Sequence, residues 1–148
     1  MIPKDPNIQL YISLKDGRRT FREVAEELGV AENTVRSRYR KLTEAGVLEV
    51  TALVNPEMIE GHQLAIIGMK VNSSDLVGAA ERISALKGII SVRVVTGRYD
   101  LMAEVLLREG FGLLEFFTEE MAKVNDIQDY ETFVVYKSFG HKVPYVLE

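Results

Sequence analysis

The sequence predicts an α+β protein with two domains. We expect an N-terminal (winged) helix-turn-helix domain at residues 1–55 and a βαββαβ domain with an antiparallel sheet at residues 56–148. Apolar residues recur at helical spacing in the first part, and short apolar strands alternate with helices in the second. Residues 1–55 hold nine basic and eight acidic residues, whereas the remainder holds nine basic and fourteen acidic ones. This asymmetry indicates two domains with different partners.

The composition excludes several classes of protein. The chain has 148 residues, 47% of them hydrophobic and 27% charged, so it can bury a core. A net charge of −4 excludes a wholly basic nucleic-acid coat protein and requires any nucleic-acid contact to come from a local patch. The lack of cysteine excludes disulfides, iron–sulfur clusters and thiol catalysis. With two histidines, no long apolar run and no signal-like N-terminus, we expect a cytoplasmic protein without metal, cofactor or membrane association.

Three short helices are predicted in the first domain. The first contains Ile8 and Tyr11, and the second begins at the capping box Thr20–Glu23 and ends at Gly29. The third follows at once, and its buried stripe is Val35, Tyr39 and Leu42. Two helices joined by so short a turn must cross steeply, which is helix-turn-helix geometry. The segment Val47–Val54 then predicts a short wing or linker strand.

The third helix carries a basic cluster opposite its buried stripe, with four basic residues among the six of Arg36–Lys41. Such a cluster is usually a solvated surface, but the second helix of a steeply turned pair is the one that enters the major groove. We therefore predict DNA contacts from Asn33, Thr34, Arg36, Ser37, Arg38, Arg40 and Lys41. Around the start of the second helix, we expect phosphate contacts from Arg18, Arg19 and Arg22.

The second domain is predicted to alternate strand and helix. The predicted strands are Leu64–Val71, Ile89–Thr96, Tyr99–Leu107 and Tyr130–Phe139. One helix follows the first strand, and another with the inner face Leu114, Phe117, Met121 and Val124 precedes the last strand. The order βαββαβ is the ferredoxin-like arrangement.

A two-residue loop at Gly97-Arg98 fixes the pairing of the two middle strands, because it sets Val94 opposite Leu101. One face of this hairpin is then wholly apolar and suited to lie under the helices. The other face is mixed, and Arg93 and Glu104 are close enough there for an ion pair. Two helices can cover only one face of the sheet, so we expect a second subunit on the other face and hence a homodimer.

At this point the sequence resembles the Lrp/AsnC (feast/famine) family of prokaryotic transcription regulators along essentially its whole length. The stretch Leu28–Leu48 is similar to that family's helix-turn-helix pattern, although the family usually has Ser where this chain has Ala31. The segment Gly97-Arg98-Tyr99-Asp100 is similar to the family's Gly-x-Tyr-Asp hairpin. The resemblance implies a DNA-binding regulator that forms homodimers and higher oligomers. It also implies that a small effector, typically an amino acid, binds near Gly97, Arg98, Tyr99 and Asp100.

Two other functions compete with this one. An enzyme would need a base, a nucleophile or a metal cluster, and the isolated His62 and His141 supply none, so no catalytic residue is predicted. A DNA-packaging protein without effector response would use the same helix-turn-helix and need no pocket. At the hairpin, Asp100 either accepts the ammonium group of an effector or only ties subunits together.

Overall fold

The computed structural model describes residues 5–148, so residues 1–4 of the predicted first domain lie outside the described part. The chain forms two compact units, one ending at Thr51 and the other spanning Ala52–Glu148. The division falls before the predicted boundary at residues 55 and 56. The reason is that strand β1, Leu53–Val54, pairs antiparallel with strand β6, Val143–Pro144, near the other end of the second unit. No helix within residues 5–148 is long and apolar enough to cross a membrane.

The first unit contains the three predicted helices, α1 (Ile8–Ser13), α2 (Phe21–Leu28) and α3 (Glu32–Glu44). The capping box of α2 is confirmed: the Glu23 N–H donates to Thr20 Oγ1 at 3.2 Å, and the Thr20 N–H donates to Glu23 Oε2 at 2.7 Å. Gly29 ends α2 with a φ of +68°, a conformation that glycine adopts without strain. The buried core of this unit is Leu10, Leu14, Val24, Ala25 and Val35.

Of the two alternatives predicted for the segment Val47–Val54, a wing or a linker strand, the structure has a short linker strand, because only Leu53 and Val54 form a strand. A wing needs two paired strands, and residues 5–51 contain none. The β-prone side chains pack on the helices instead. Leu48 lies against the helical core, and Val50 Cγ1 would be 2.8 Å from a Cβ built at Gly17. Residues 47–51 therefore pack against the helices of the first unit and do not form a wing.

The second unit is the predicted ferredoxin-like domain. Its antiparallel sheet has the order β3-β4-β2-β5 and is crossed on one side by helices α4 (Leu76–Ser84) and α5 (residues 113–123). The strands are β2 (Gln63–Val71), β3 (Ile89–Val94), β4 (Leu101–Leu107) and β5 (Ile127–Val134). A 3₁₀ turn, Pro56–Met58, lies between β1 and β2. Strand β5, the last strand of the main sheet, begins and ends earlier than the predicted Tyr130–Phe139.

The core under the helices follows the predicted apolar face. Ile67, Ala103 and Val105 are almost fully buried there. Val94 pairs with Leu101 as the loop position predicts, but at the end of its strand it is 48% exposed instead of buried. One detail differs, because Ile89 and not Ile90 lies opposite Val105. The pairing shifts at this point, so Ile90 is the extra residue of a β-bulge, a feature that alternation alone does not reveal.

The inner face of α5 also differs from the prediction. Leu114 is 72% exposed, whereas Phe116 and Met121 are buried. The helix consists of an α-turn (Leu113–Glu115), a π-turn (Phe116–Glu120) and a 3₁₀ turn (Met121–Lys123). The prediction is therefore confirmed at Met121, and Phe117 and Val124 pack against the core, but it is wrong at Leu114 and omits Phe116. The hydrogen bonds of a π-turn run from residue i to residue i+5, so the turn departs from the period of 3.6 residues on which the predicted stripe was based.

The second face of the sheet is partly covered within the chain. Leu64 and Leu106 are opposite each other on this face and are both buried, in one cluster with Val143 and Leu147 of the C-terminal segment. The expectation that nothing in the chain covers this face is therefore wrong at this end. No ion pair joins Arg93 to Glu104 within residues 5–148; Glu104 Oε1 instead lies 3.1 Å from His141 Nε2. Farther along the face, Phe133 remains 43% exposed.

Candidate nucleic-acid interface and hairpin site

The exposed side of α3 brings together the side chains that were predicted to contact DNA. Five of them are exposed and two, Thr34 and Ser37, are half-buried; the exposed ones are Asn33, Arg36, Arg38, Arg40 and Lys41. The arrangement follows from helix geometry, because at about 100° per residue Asn33, Ser37 and Arg40 lie opposite the buried Val35. The first unit thus presents one cationic helix face to solvent.

Arg36 differs from its neighbours because its guanidinium is held on two sides. Its Nη2 donates to Glu32 Oε1 at 2.8 Å, one helical turn earlier. Its Cζ lies 5.1 Å from the centroid of the Phe21 ring at the start of α2, a cation–π distance. Phe21 in turn packs against Tyr39, with 5.1 Å between the ring centroids. Arg36 therefore links the two helices of the motif.

The three arginines before and within α2 differ in exposure and in the number of contacts that they make. Arg18 and Arg22 are largely exposed, and their ion pairs with Asp16 and Glu26 are 3.3 Å long. Arg19 is only 28% exposed, pairs with Glu27 and donates to the Ser13 carbonyl oxygen at 3.3 Å.

The hydrogen bonds that Arg19 and Ser13 donate to Glu27 lower the pKa of that carboxyl from its usual value. Arg19 thus fastens α1 to α2, while Arg18 and Arg22 are free to reach a phosphate.

The first turn of α3 has no side-chain cap. Ala31 occupies the N-cap position, has extended backbone angles and offers no oxygen to the helix. The helix nevertheless begins at Glu32. Packing of Val35 into the core and the main-chain bonds from Thr34 and Val35 to the Ala31 carbonyl are sufficient to start it.

The hairpin between β3 and β4 keeps the predicted pairing but has a wider turn. Regular strand ends at Val94 and resumes at Leu101, with one further bond from the Val95 N–H to the Asp100 carbonyl at 2.9 Å. Gly97 has a φ of +117°, which a residue with a side chain rarely adopts. Gly97 and Arg98 are exposed at the tip, whereas Tyr99 and Asp100 are half-buried.

Asp100 is attached to the neighbouring strand β2 by two hydrogen bonds. Its N–H donates to the Met69 carbonyl at 2.9 Å, and its Oδ2 accepts the Val71 N–H at 2.9 Å. The other carboxylate oxygen, Oδ1, accepts no hydrogen bond within residues 5–148. The side chain therefore has a structural role in the chain and one oxygen left for another donor.

Tyr99 lies flat against the second face of the sheet. A Cβ built at Gly68 would be 2.6–2.8 Å from three atoms of the Tyr99 ring, so the glycine makes room for the aromatic side chain. Tyr99 also meets Phe133 edge to face, with 6.5 Å between ring centroids, and the guanidinium of Arg98 lies 5.6 Å from the Tyr99 ring. The Tyr99 hydroxyl is buried without a hydrogen-bond partner among the described residues.

Comparison with known proteins decides the family. The model of the Lrp/AsnC ligand binding domain matches residues 64–144, more than half of the chain, and that of the AsnC-type helix-turn-helix domain matches residues 14–43. The chain belongs to the Lrp/AsnC family. An uncharacterized HTH-type transcriptional regulator of Pyrococcus furiosus is 31% identical over 127 residues, which cover 85% of this chain and 86% of the relative. This Lrp/AsnC chain is thus a transcription regulator with a DNA-binding helix-turn-helix and a ligand-binding domain.

Two solved structures share the fold of this chain. The structure of AsnC from E. coli superimposes with a TM-score of 0.65 at 23% identity, covering 88% of this chain and 89% of AsnC. A complex of a transcriptional regulator from Neisseria meningitidis with L-Met gives a TM-score of 0.68 at 20% identity, covering 90% of this chain and 89% of that one.

Sequence reasoning missed three residues of these surfaces. Phe21 and Glu32 hold Arg36, and Gly68 receives Tyr99. A four-residue spacing of opposite charges was available as a signal for Glu32. No local signal marks Gly68, because its partner is 31 positions away and is brought there by the pairing of β2 with β4.

Proposed function

We propose that this chain is a sequence-specific DNA-binding transcription regulator whose DNA binding or assembly is modulated by a small effector, an amino acid. The observation that carries the DNA part is the exposed cationic face of α3 in a chain of net charge −4. In a helix-turn-helix, that face enters the major groove while the first helix of the pair meets the phosphate backbone. We assign no catalytic residue and expect the regulator to act in the cytoplasm.

The proposed DNA interface consists of the seven predicted residues of α3 and of Arg18 and Arg22 beside α2, whereas Arg19 holds α1 to α2. Arg40 has no ion pair within residues 5–148 and extends into solvent, which suits a contact with a base or a phosphate. Replacement of Arg40 by Ala is expected to weaken specific binding by about 1–3 kcal/mol if the side chain reads a base.

A triple variant with Ala at Arg36, Arg40 and Lys41 tests the interface. Binding to a duplex obtained by selection from random DNA should be lost, while circular dichroism shows an intact fold. The matched control removes three cations from the second unit, Lys70, Arg93 and Lys142, and should bind with little change. A folded triple variant that binds like the parent would contradict the assignment.

The effector part of the proposal concerns the hairpin tip. Asp100 has one carboxylate oxygen without a donor among residues 5–148 and lies two residues from the exposed Arg98 at the tip. A carboxylate of this kind accepts an ammonium group, and neighbouring backbone N–H groups can hold a ligand carboxylate. The L-Met complex of the Neisseria meningitidis regulator supports an amino acid as the class of ligand.

Assembly is proposed through the open part of the second sheet face. Phe133, Ile66 and Met102 lie there, and Phe133 is 43% exposed. Two copies that pack this face against each other would form a homodimer. Further contacts between dimers would give higher oligomers. A two-fold dimer should read half-sites spaced by whole turns of about 10 bp. Light scattering of the full chain should report at least a dimer, and a monomer would contradict this part.

A DNA-packaging protein without effector response is the second candidate. The hydrogen bonds of Asp100 to β2 and the packing of Tyr99 on Gly68 favour it, because they give both residues a role without a ligand. Screening the twenty amino acids for a change in melting temperature separates the candidates, since a ligand that binds only the native state raises it. A rise in melting temperature with one or a few amino acids supports the regulator. The absence of a rise with all twenty supports the packaging protein.

A further inference from the structure

Arg36 is held in place before any DNA arrives. Its Nη2 is 2.8 Å from Glu32 Oε1, and its Cζ is 5.1 Å from the centroid of the Phe21 ring. Phe21 is itself fixed by Tyr39. The three other basic side chains of α3 have no ion pair or aromatic contact of this kind within residues 5–148; they are Arg38, Arg40 and Lys41.

The two contacts leave most of the guanidinium available. A guanidinium has five N–H donors in one plane; the Glu32 carboxylate takes one, and the Phe21 ring covers a face without taking any. Arg36 is still 58% exposed, so its remaining donors are accessible. The plane is thus fixed while an edge remains free.

A fixed guanidinium plane suits the reading of guanine. Guanine presents two acceptors, O6 and N7, in the major groove, and arginine contacts both with two parallel N–H groups. A side chain that is already ordered loses less rotamer freedom when it binds, so more of the contact's free energy appears as discrimination between bases. Arg36 also lies in the second turn of α3, toward the N-terminal end that meets base edges in this motif.

We propose that Arg36 reads a guanine and that Glu32 is the positioning residue that fixes its guanidinium, an inference that rests on the proposed DNA-binding function. The proposed pairing also explains why the carboxylate of Glu32 lies on a surface that is proposed to face DNA phosphates. An unpaired Glu32 would only repel DNA, whereas its pair with Arg36 neutralises both charges and orients the donor.

The test compares base preferences of variants. A randomised duplex library is selected with the parent, and affinities are then measured for the selected site and its single base-pair substitutions. The variants are Glu32→Ala, Glu32→Gln, Arg36→Ala and the double variant Glu32→Ala with Arg36→Ala. Glu44→Ala removes a carboxylate from the other end of the same helix and is the matched control; melting curves confirm that each variant is folded.

The expected result is specific to one base pair. Arg36→Ala should reduce the preference for one G·C pair by roughly 10- to 100-fold. Glu32→Ala should reduce the preference at that same pair by roughly 2- to 10-fold, and Glu32→Gln by less, because its amide oxygen still accepts an Arg36 N–H. In the Arg36→Ala background, Glu32→Ala should change that preference no further. The control should leave it unchanged.

Three outcomes overturn the inference while leaving DNA binding intact. The first is a selected site without a G·C pair that depends on Arg36. In the second, Glu32→Ala changes the affinity equally for all duplexes, which would mean that Glu32 acts only as a charge that repels DNA. The third is an equal effect of Glu32→Ala with and without Arg36. A parent that enriches no sequence at all would instead remove the proposed function, and the inference with it.

Discussion

The two units keep their functional side chains in place by contacts of very different range along the chain. In the first unit, Glu32 holds Arg36 across four residues and Thr20 caps Glu23 across three. In the second unit, Asp100 bonds to Val71 across 29 residues. The proposed DNA interface therefore depends on local helical geometry, whereas the hairpin tip depends on the register of a whole sheet. A single substitution on α3 should therefore disturb only side chains within one or two helical turns. A substitution near the hairpin tip should also disturb the strand that pairs with it.

The largest effect is expected from adding a methyl group at Gly68. The new Cβ would be 2.6–2.8 Å from the Tyr99 ring, so the ring or the strand must move. We expect Gly68→Ala to lower the free energy of unfolding by about 1–3 kcal/mol, measured in urea. Combining it with Tyr99→Ala should cost less than the two losses added together, because both changes act on one contact. Strict additivity would show that the ring is not packed there.

The next effect separates the two roles of Asp100. Asp100→Ala removes the acceptor of the half-buried Val71 N–H and should cost about 1–2 kcal/mol of unfolding free energy. Asp100→Asn keeps an acceptor oxygen, so stability should stay near that of the parent, while calorimetric binding of any amino acid that stabilises the parent is lost. Unchanged ligand affinity in Asp100→Asn would leave the residue purely structural.

A smaller and more local effect is expected in the first unit. Arg19→Ala breaks the contacts to Glu27 and to the Ser13 carbonyl and should cost about 1 kcal/mol. Arg18→Ala, at a largely exposed side chain, should leave stability unchanged and reduce the salt dependence of DNA binding by about one unit. The two variants serve as controls for each other. The reverse pattern would mean that Arg19 faces the phosphates.

The smallest effect is a pH dependence at Glu120, which combines a local and a distant contact. Hydrogen bonds from Lys123 and from the Lys87 N–H lower the pKa of this carboxyl below its usual value. A carboxyl with a lowered pKa stabilises the fold above its unfolded-state pKa, and this stabilisation is lost as the pH falls through the folded-state pKa. The difference in unfolding free energy between the parent and Glu120→Gln should therefore shrink on acidification. A pH-independent difference would contradict the role of the charge.

The sequence was sufficient for features with a local signal. The capping box at Thr20 and the pairing of Val94 with Leu101 were both predicted and confirmed. The linker strand exists only at Leu53 and Val54 and the wing does not form, because strand propensity in residues 47–52 does not reveal that Val50 packs against Gly17. On α5, Met121 was predicted correctly, whereas Leu114 is exposed and the buried Phe116 was not predicted, because a π-turn changes the helical period. At the hairpin, the motif was visible, but the contacts of Tyr99 with Gly68 exist only once the sheet has formed.

The pairing of β1 with β6 has a consequence for the order in which the chain folds during synthesis. The contacts of the first unit are complete once residue 51 has emerged from the ribosome, so its helices can pack while the rest is being translated. Leu53 and Val54 must wait for their partners at Val143 and Pro144. The second unit, with its long-range pairings, therefore closes last and more slowly. A nascent chain stalled after β5 would contain the helix-turn-helix and all four strands of the main sheet, but Leu53 and Val54 would still lack their partners.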